Sequence, residues 1–247
     1  MAAKDASPLV NWLRPGLAAV ARRWLAFRFR TLDRRYGRLV LEEIDGVPLI
    51  VLPQVFNPVL LRSGAFLVAT LAQIPLPKAA AVLDLGTGSG AGAIFAARRG
   101  AAVTAVDINP EAVRCARLNA LLNGLEGRIE AVQGDLFAPV AGRCFDLILF
   151  NPPYHRGRPA DGLDQAWRGL SVFERFAAGL DGHLAPSGRA LLVLSSDGDG
   201  GELLELLGRR GFRLQLVARR NLWNERLLAY DVERGRGRPG SADSDAF

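Results

Sequence analysis

Asn151-Pro152-Pro153-Tyr154 is the stretch of this chain best equipped for chemistry. It follows directly on an apolar run, Phe145–Phe150, that reads as a buried strand. An amide or aryl amine nitrogen attacks poorly, because its lone pair is delocalised into the neighbouring π system. Two acceptors, the Asn151 side-chain oxygen and the Pro152 carbonyl, can hold both of its N–H hydrogens. That fixes the nitrogen in line with an electrophile and favours developing sp3 character. The prolines stiffen the backbone, and Pro152 sets its own φ. Tyr154 offers a π face on which a flat amide or base can stack. Pro153, His155 and Trp167 are further candidate contacts to such an acceptor. His155 has two readings, a relay or substrate contact and a partly exposed loop histidine. Proline pairs also make ordinary rigid turns, so the motif draws its weight from its place after a strand.

A second constellation precedes it. Val82–Leu85 runs into Gly86-Thr87-Gly88-Ser89-Gly90 and then into a helical pattern. Glycines let backbone approach a ligand closely, and the following helix N-terminus offers unpaired N–H groups. Asp84, Gly86, Thr87, Gly88 and Gly90 are therefore candidate cofactor contacts, and Asn151 is counted with them as well as with the catalytic residues. Two readings compete, because Gly86 to Ala91 also satisfies the dinucleotide pattern G-x-G-x-x-A, with Asp107 lying 21 residues after Gly86. A carboxylate at the end of the second strand accepts from ribose hydroxyls in either class. Asp84 tilts the balance, since a carboxylate at the strand tip suits a cationic ligand better than a pyrophosphate. It would face the ammonium of S-adenosylmethionine. Ile108 follows Asp107, and Asp135-Leu136 follows the third strand, extending the candidate set to three acids at three consecutive strand ends. Capping roles for Asp84 and Asp135 are the alternative.

These residues need a scaffold that gathers strand ends. From residue 80 the sequence alternates strands and helices. Strands are expected at Ala81–Leu85, Ala102–Val106, Ile129–Val132, Phe145–Phe150, Arg189–Leu194, Phe212–Ala218 and Leu227–Val232. Helices are expected at Gly90–Arg98, Pro110–Asn123, Gln165–Leu180 and Gly201–Gly208. The alternation predicts an α/β fold, a doubly wound, mainly parallel seven-stranded sheet of Rossmann-like type. The last two strands have no helix between them, which predicts an antiparallel edge. Ahead of this core, residues 36–78 hold two short strands, Arg38–Ile44 and Val47–Leu52, about the hairpin signal Asp45-Gly46, and a helix over Val59–Ile74. Residues 79–232 form the catalytic domain, and residues 233–247 a tail expected to be disordered.

Residues 1–35 read as a helical extension whose Leu17, Val20, Trp24 and Phe27 share one stripe. The first 40 residues carry Lys4, Arg14, Arg22, Arg23, Arg28, Arg30, Arg34, Arg35 and Arg38 against Asp5 and Asp33, a net +7 that leaves the other 207 near −1. Such a patch suits RNA, a ribosome-bound protein or an anionic surface, or else is a solvated helix face. No apolar run approaches the roughly 18 residues needed to cross a bilayer. The start lacks the pattern of a secretory leader, and Cys115 and Cys144 are too few for a disulfide framework. A cytoplasmic setting is the expectation. Neither cysteine nor His183 has metal-ligand spacing, so no metal is expected.

The motifs together resemble class I S-adenosylmethionine-dependent methyltransferases, and within them the HemK-type enzymes that methylate the glutamine of release factors. Asp84–Gly90 resembles their first motif and Asp107-Ile108-Asn109-Pro110 their second. Gln133–Phe137 stands where the family sets an acid against the adenine amino group. Asn151–Tyr154 resembles their catalytic motif, which serves adenine, cytosine and glutamine nitrogens alike. Val55-Phe56-Asn57-Pro58 is similar to a segment that closes over the cofactor, with Arg62 and Ser63 as possible contacts there. Asp164–Gly169 is similar to the stretch after the catalytic loop. His155-Arg156-Gly157 departs from the usual apolar continuation, and the N-terminal extension is shorter than the helical domain usual in bacterial members. The resemblance implies an N-methyltransferase using S-adenosylmethionine on a protein glutamine, with an exocyclic amino group of RNA or DNA as the alternative and a small molecule behind both.

Overall fold

The computed structural model describes residues 38–153, 171–196, 198–223 and 225–235. The helix expected before residue 36, the segment carrying Tyr154, His155 and Trp167, and most of the tail lie outside the described residues. The described chain opens with a hairpin of β1 (Val40–Ile44) and β2 (Val47–Val51), paired antiparallel. Its turn residues take the left-handed backbone that a two-residue connection requires, Asp45 at φ 47 and Gly46 at φ 77.

Helix α1 spans Ser63–Leu71, shorter than the helix expected over 59–74. The cause is local. The Asn57 side-chain oxygen accepts from the N–H groups of Val59 and Leu60 at 3.0 and 2.9 Å, building a turn of its own. Arg62 then sits in the left-handed region at φ 64, which breaks helical continuity and starts α1 afresh. Gly64 allows the new helix to rest on Pro58, where an added Cβ would lie 2.4 Å from the proline Cβ.

The core alternates as expected: β3 (Ala81–Leu85), α2 (Ala91–Arg98), β4 (Ala102–Asp107), α3 (Pro110–Leu122), β5 (Ile129–Gln133), β6 (Phe145–Phe150), α4 (Val172–His183), β7 (Leu184–Ser195), α5 (Gly200–Arg209), β8 (Phe212–Asn221) and β9 (Arg226–Arg234). The seven strands run in the order β5-β4-β3-β6-β7-β9-β8. β5 to β7 are mutually parallel, while β9 enters between β7 and β8 and is antiparallel to both. Several elements differ from the sequence expectation in length. β7 begins at Leu184 rather than Arg189. β9 reaches Arg234, so Glu233, placed by sequence in the tail, is a strand residue whose carboxylate accepts from Arg213 at 2.6 Å. Helix α4 runs on to His183 and is described from Val172.

Each central strand is buried on both faces, which is why it reads as continuous apolar sequence. Val82, Leu147 and Leu149 pack with Ala93, Ile94 and Ala97 of α2 and with Phe66 and Leu71 of α1. Leu83, Leu85, Ile148 and Phe150 face the other way, onto Phe176 and Leu180 of α4 and Leu203 of α5. The Phe150 and Phe176 rings stack with centroids 4.5 Å apart. Parity along β3 and β6 thus sends Asp84 toward α2 and lets the residue after Phe150 emerge on the α1 side.

Candidate active site

The carboxyl ends of β3, β4, β5 and β6 meet at one edge of the sheet, where open α/β folds bind ligands. β3 ends in a turn that needs three left-handed glycines, Gly86 at φ 62, Gly88 at φ 55 and Gly90 at φ 83. Thr87 N–H donates to the Val106 carbonyl at 3.1 Å, tying the turn to β4. Asp84 lies beneath it, 3% exposed. Its Oδ2 accepts from the Thr87 hydroxyl at 2.6 Å and from Ala93 N–H in the first turn of α2 at 2.9 Å. Burial pushes its carboxyl up to about 6; the two hydrogen bonds oppose that, and the nearby Asp107 adds to it. The sequence reading aimed Asp84 at a ligand's ammonium. In the structure Oδ2 is engaged in fastening loop to helix.

Asp107 closes β4. Its two oxygens accept from Gly88 N–H and from Asn109 N–H, each at 2.9 Å. Burial raises its carboxyl above the ordinary range against those backbone donors. Its own carbonyl accepts from Gly134 N–H at 2.9 Å, which brings the exit of β5 alongside. Ile108, one residue on, is 49% exposed, unlike the buried apolar residues of the strand before it. Leu136 turns in the left-handed region at φ 49. Asp135 stands at the end of β5, as the sequence implied, and its carboxylate is paired with Arg175 of α4.

Asn151 leaves β6 on the α1 side, and its carboxamide N–H donates to the Ser63 hydroxyl at 3.1 Å. Pro152 is buried and Pro153 half-buried. The acceptor motif and the glycine turn therefore sit at adjacent strand ends, with the start of α1 against Asn151. Tyr154, His155 and Trp167 lie outside the described residues.

Sequence reasoning missed Asn119. Fully buried in α3, it accepts from Ile50 N–H with Oδ1 at 2.7 Å, and with Nδ2 donates to the carbonyls of Ile50 and Ser89, both at 2.7 Å. One side chain thus joins the hairpin, α3 and the glycine turn. Its signal was an amide one turn beyond Cys115, on the stripe that also holds Ala112 and Ala116. Asn109 Nδ2 donates to the Gln54 carbonyl at 3.0 Å, and Phe56 lies over Gly88, where an added Cβ would be 3.5 Å from the Phe56 Cβ. The segment read as closing over the cofactor does lie across the turn. Cys115 is a buried packing residue whose thiol burial pushes up to about 11. Among the described residues no group of three or more His, Cys, Asp or Glu is placed to hold a metal ion, and no helix is long and apolar enough to cross a membrane.

The methyltransferase small domain family matches residues 47–224. A protein of Methanocaldococcus jannaschii, assigned provisionally to the protein N5-glutamine methyltransferases, is 32% identical over 201 residues, covering 78% of this chain and 98% of that one. The release factor glutamine methyltransferase of Moorella thermoacetica is 31% identical over 217 residues, covering 78% of this chain and 72% of that one. A T. thermophilus 16S rRNA methyltransferase, solved in complex with AdoMet and guanosine, shares the fold at a TM-score of 0.56 and 24% identity, over 80% of this chain and 50% of that one. The chain is an S-adenosylmethionine-dependent N-methyltransferase of class I and a member of the methyltransferase small domain family.

Proposed function

We propose that this protein methylates the side-chain amide nitrogen of a glutamine in a protein of the translation apparatus, with a peptide release factor as the first acceptor to test. The observation that carries the reading is Asn151-Pro152-Pro153 held at the end of β6, beside the glycine turn, with the Asn151 carboxamide anchored by Ser63. The sequence relatives named as glutamine methyltransferases support it.

The residues present fit S-adenosylmethionine. The turn at Gly86, Gly88 and Gly90 keeps side chains out of a backbone cradle, and Asp107 supplies a carboxylate for ribose hydroxyls. The half-exposed Ile108, with Leu136, offers an apolar surface to a flat base. Asp84 fixes the cradle from below and adds negative charge under a cationic ligand. When bound, S-adenosylmethionine supplies an electrophilic methyl on its sulfonium. Asn151 Oδ1 and the Pro152 carbonyl accept the two N–H groups of the incoming amide, which draws its lone pair out of conjugation. Pro153 keeps the two acceptors rigid, and the ring that the sequence sets next, Tyr154, is the face on which the amide would stack. The proton leaves after transfer, so no base of the protein is required for the bond-forming step; Trp167, and His155 in its reading as a substrate contact, are the sequence candidates for touching the acceptor.

The same acceptor pair would serve the amino group of a nucleobase, and a ribosomal RNA small subunit methyltransferase C of Alcanivorax borkumensis is 32% identical over 156 residues. Labelling separates the readings. With tritiated S-adenosylmethionine and an unmethylated release factor, label is expected in protein, at glutamine, and sensitive to protease. Label lost to ribonuclease would move the assignment to RNA. Asn151→Ala is expected to abolish transfer while leaving cofactor affinity within about twofold, since the lost contacts are made to the acceptor.

A further inference from the structure

Ser63 is 1% exposed and opens α1. Deeper in the same helix the Thr70 hydroxyl donates to the Phe66 carbonyl one turn back at 2.9 Å, a partner that Ser63, at the first position, does not have within α1. Ser63 instead reaches across to another element and receives the Asn151 carboxamide N–H at 3.1 Å. Its position is set by several independent restraints. Arg62 turns left-handed at φ 64, Ser63 N–H donates to the Leu61 carbonyl at 2.7 Å, and Gly64 is pressed on Pro58. The hydroxyl is thus held by a stiff turn, on a segment that Asn57 also ties to Glu42 of the hairpin at 2.8 Å.

A carboxamide is nearly symmetric in shape and opposite in function at its two ends: the oxygen accepts and the nitrogen donates. The amide that Asn151 must hold presents hydrogens, so only the oxygen end of Asn151 serves it. We propose that Ser63 is a positioning residue for methyl transfer: by taking the nitrogen end of Asn151, it keeps the oxygen end turned toward the methyl acceptor. This rests on the acceptor role given to Asn151 above. It assigns the strained start of α1 a purpose in the reaction, since the same turn that breaks the expected helix delivers the hydroxyl to β6. Without the anchor the carboxamide rotates, and a share of encounters meets an N–H where an oxygen is needed.

The test uses the full chain with Ser63→Ala and Ser63→Thr, and Asn151→Ala as reference. Ser63→Ala is expected to lower kcat on an unmethylated release factor on the order of 10- to 100-fold, the scale of a misaligned catalytic contact, with KM and S-adenosylmethionine affinity little changed. Ser63→Thr, which keeps the hydroxyl, is expected to recover most of kcat. In a nitrogen-15 spectrum the Asn151 side-chain NH2 pair, identified by its absence from Asn151→Ala, should move in Ser63→Ala. Full turnover in Ser63→Ala, or an unmoved NH2 pair, overturns the proposal while leaving Asn151 in place. Loss of kcat matched by equal loss of cofactor affinity and melting temperature overturns it too, as plain structural damage. Full turnover in Asn151→Ala would instead remove the acceptor reading on which it rests. The spectroscopic arm needs no acceptor and decides the hydrogen bond even if the glutamine substrate is wrong.

Discussion

Asp84 shows what a fastening residue costs. Its Oδ2 holds Thr87 and the first turn of α2 together, yet the carboxyl is so far from water that its pKa is pushed up to about 6. A carboxyl whose folded pKa exceeds its unfolded value binds its proton more tightly when folded. Its favourable contribution is therefore present below the unfolded value near 3.8 and is lost as pH rises through about 6. The shift corresponds to about 3 kcal/mol, lost over that window. Asp84→Asn removes the charge and retains an oxygen for Ala93 N–H. In urea unfolding at a series of pH values, the stability of the wild type minus that of Asp84→Asn is expected to fall between pH 4 and 6 and to be flat above. Parallel curves would show that the carboxyl ionises over the same pH range folded and unfolded, with no shift from burial. The residue type and the strand end were legible in the sequence, because Gly86 and Gly88 mark the turn. The strand's alternation already put Asp84 on the face opposite Leu83 and Leu85. That α2 would bend back far enough for Ala93 N–H to reach it was not legible, since spacing along a chain carries no closure distance.

Between elements, the glycine turn depends on an amide that belongs to none of the recognised motifs. Asn119 satisfies Ile50 N–H, Ile50 C=O and Ser89 C=O at once, inside a helix face otherwise lined by Ala112, Cys115 and Ala116. Asn119→Ala strands these backbone groups away from water, and each such group costs about 1–3 kcal/mol when unpaired. A total of roughly 2–5 kcal/mol is expected by urea unfolding, together with faster hydrogen exchange at Ile50 N–H. A cost below about 1 kcal/mol would mean that water or a shifted hairpin replaces the amide. Hairpin and helix were readable separately, the first from Asp45-Gly46 and the second from Pro110 and its apolar stripe. The bond between them was not, because it joins residues 69 apart. The converse error fell at residues 59–62, where apolar spacing continued a helix that Asn57 and Arg62 interrupt through their own backbone geometry.

Across the whole molecule, the order of strands in the chain announced seven strands and an antiparallel edge, but not that β9 would slip between β7 and β8. That insertion shapes the approach to Asn151. Phe150 is level with Leu192, Leu192 with Tyr230, and Tyr230 with Leu216. The β8–β9 pairing continues four steps further, to Asn221 and Arg226, so the ribbon rises about 14 Å beyond the level where β6 ends. It is braced near its far end by Ser195, whose hydroxyl donates to Glu225 at 2.7 Å, and by Arg220 over the Phe66 ring of α1 at 5.3 Å. At its tip stands Trp223, 75% exposed. An acceptor no larger than a side chain does not reach that tip, whereas a folded protein presenting a loop to Asn151 would lie alongside it. Trp223→Ser is expected to change stability by less than about 0.5 kcal/mol, the ring being mostly in water already. The same change is expected to raise KM for an intact release factor severalfold, since exposed tryptophans carry a large share of protein contact energy. KM for a short glutamine peptide cut from that factor should stay unchanged. Equal increases with both acceptors would bring Trp223 into contact with the reacting amide itself, and no increase with either would take the ribbon out of the acceptor's path.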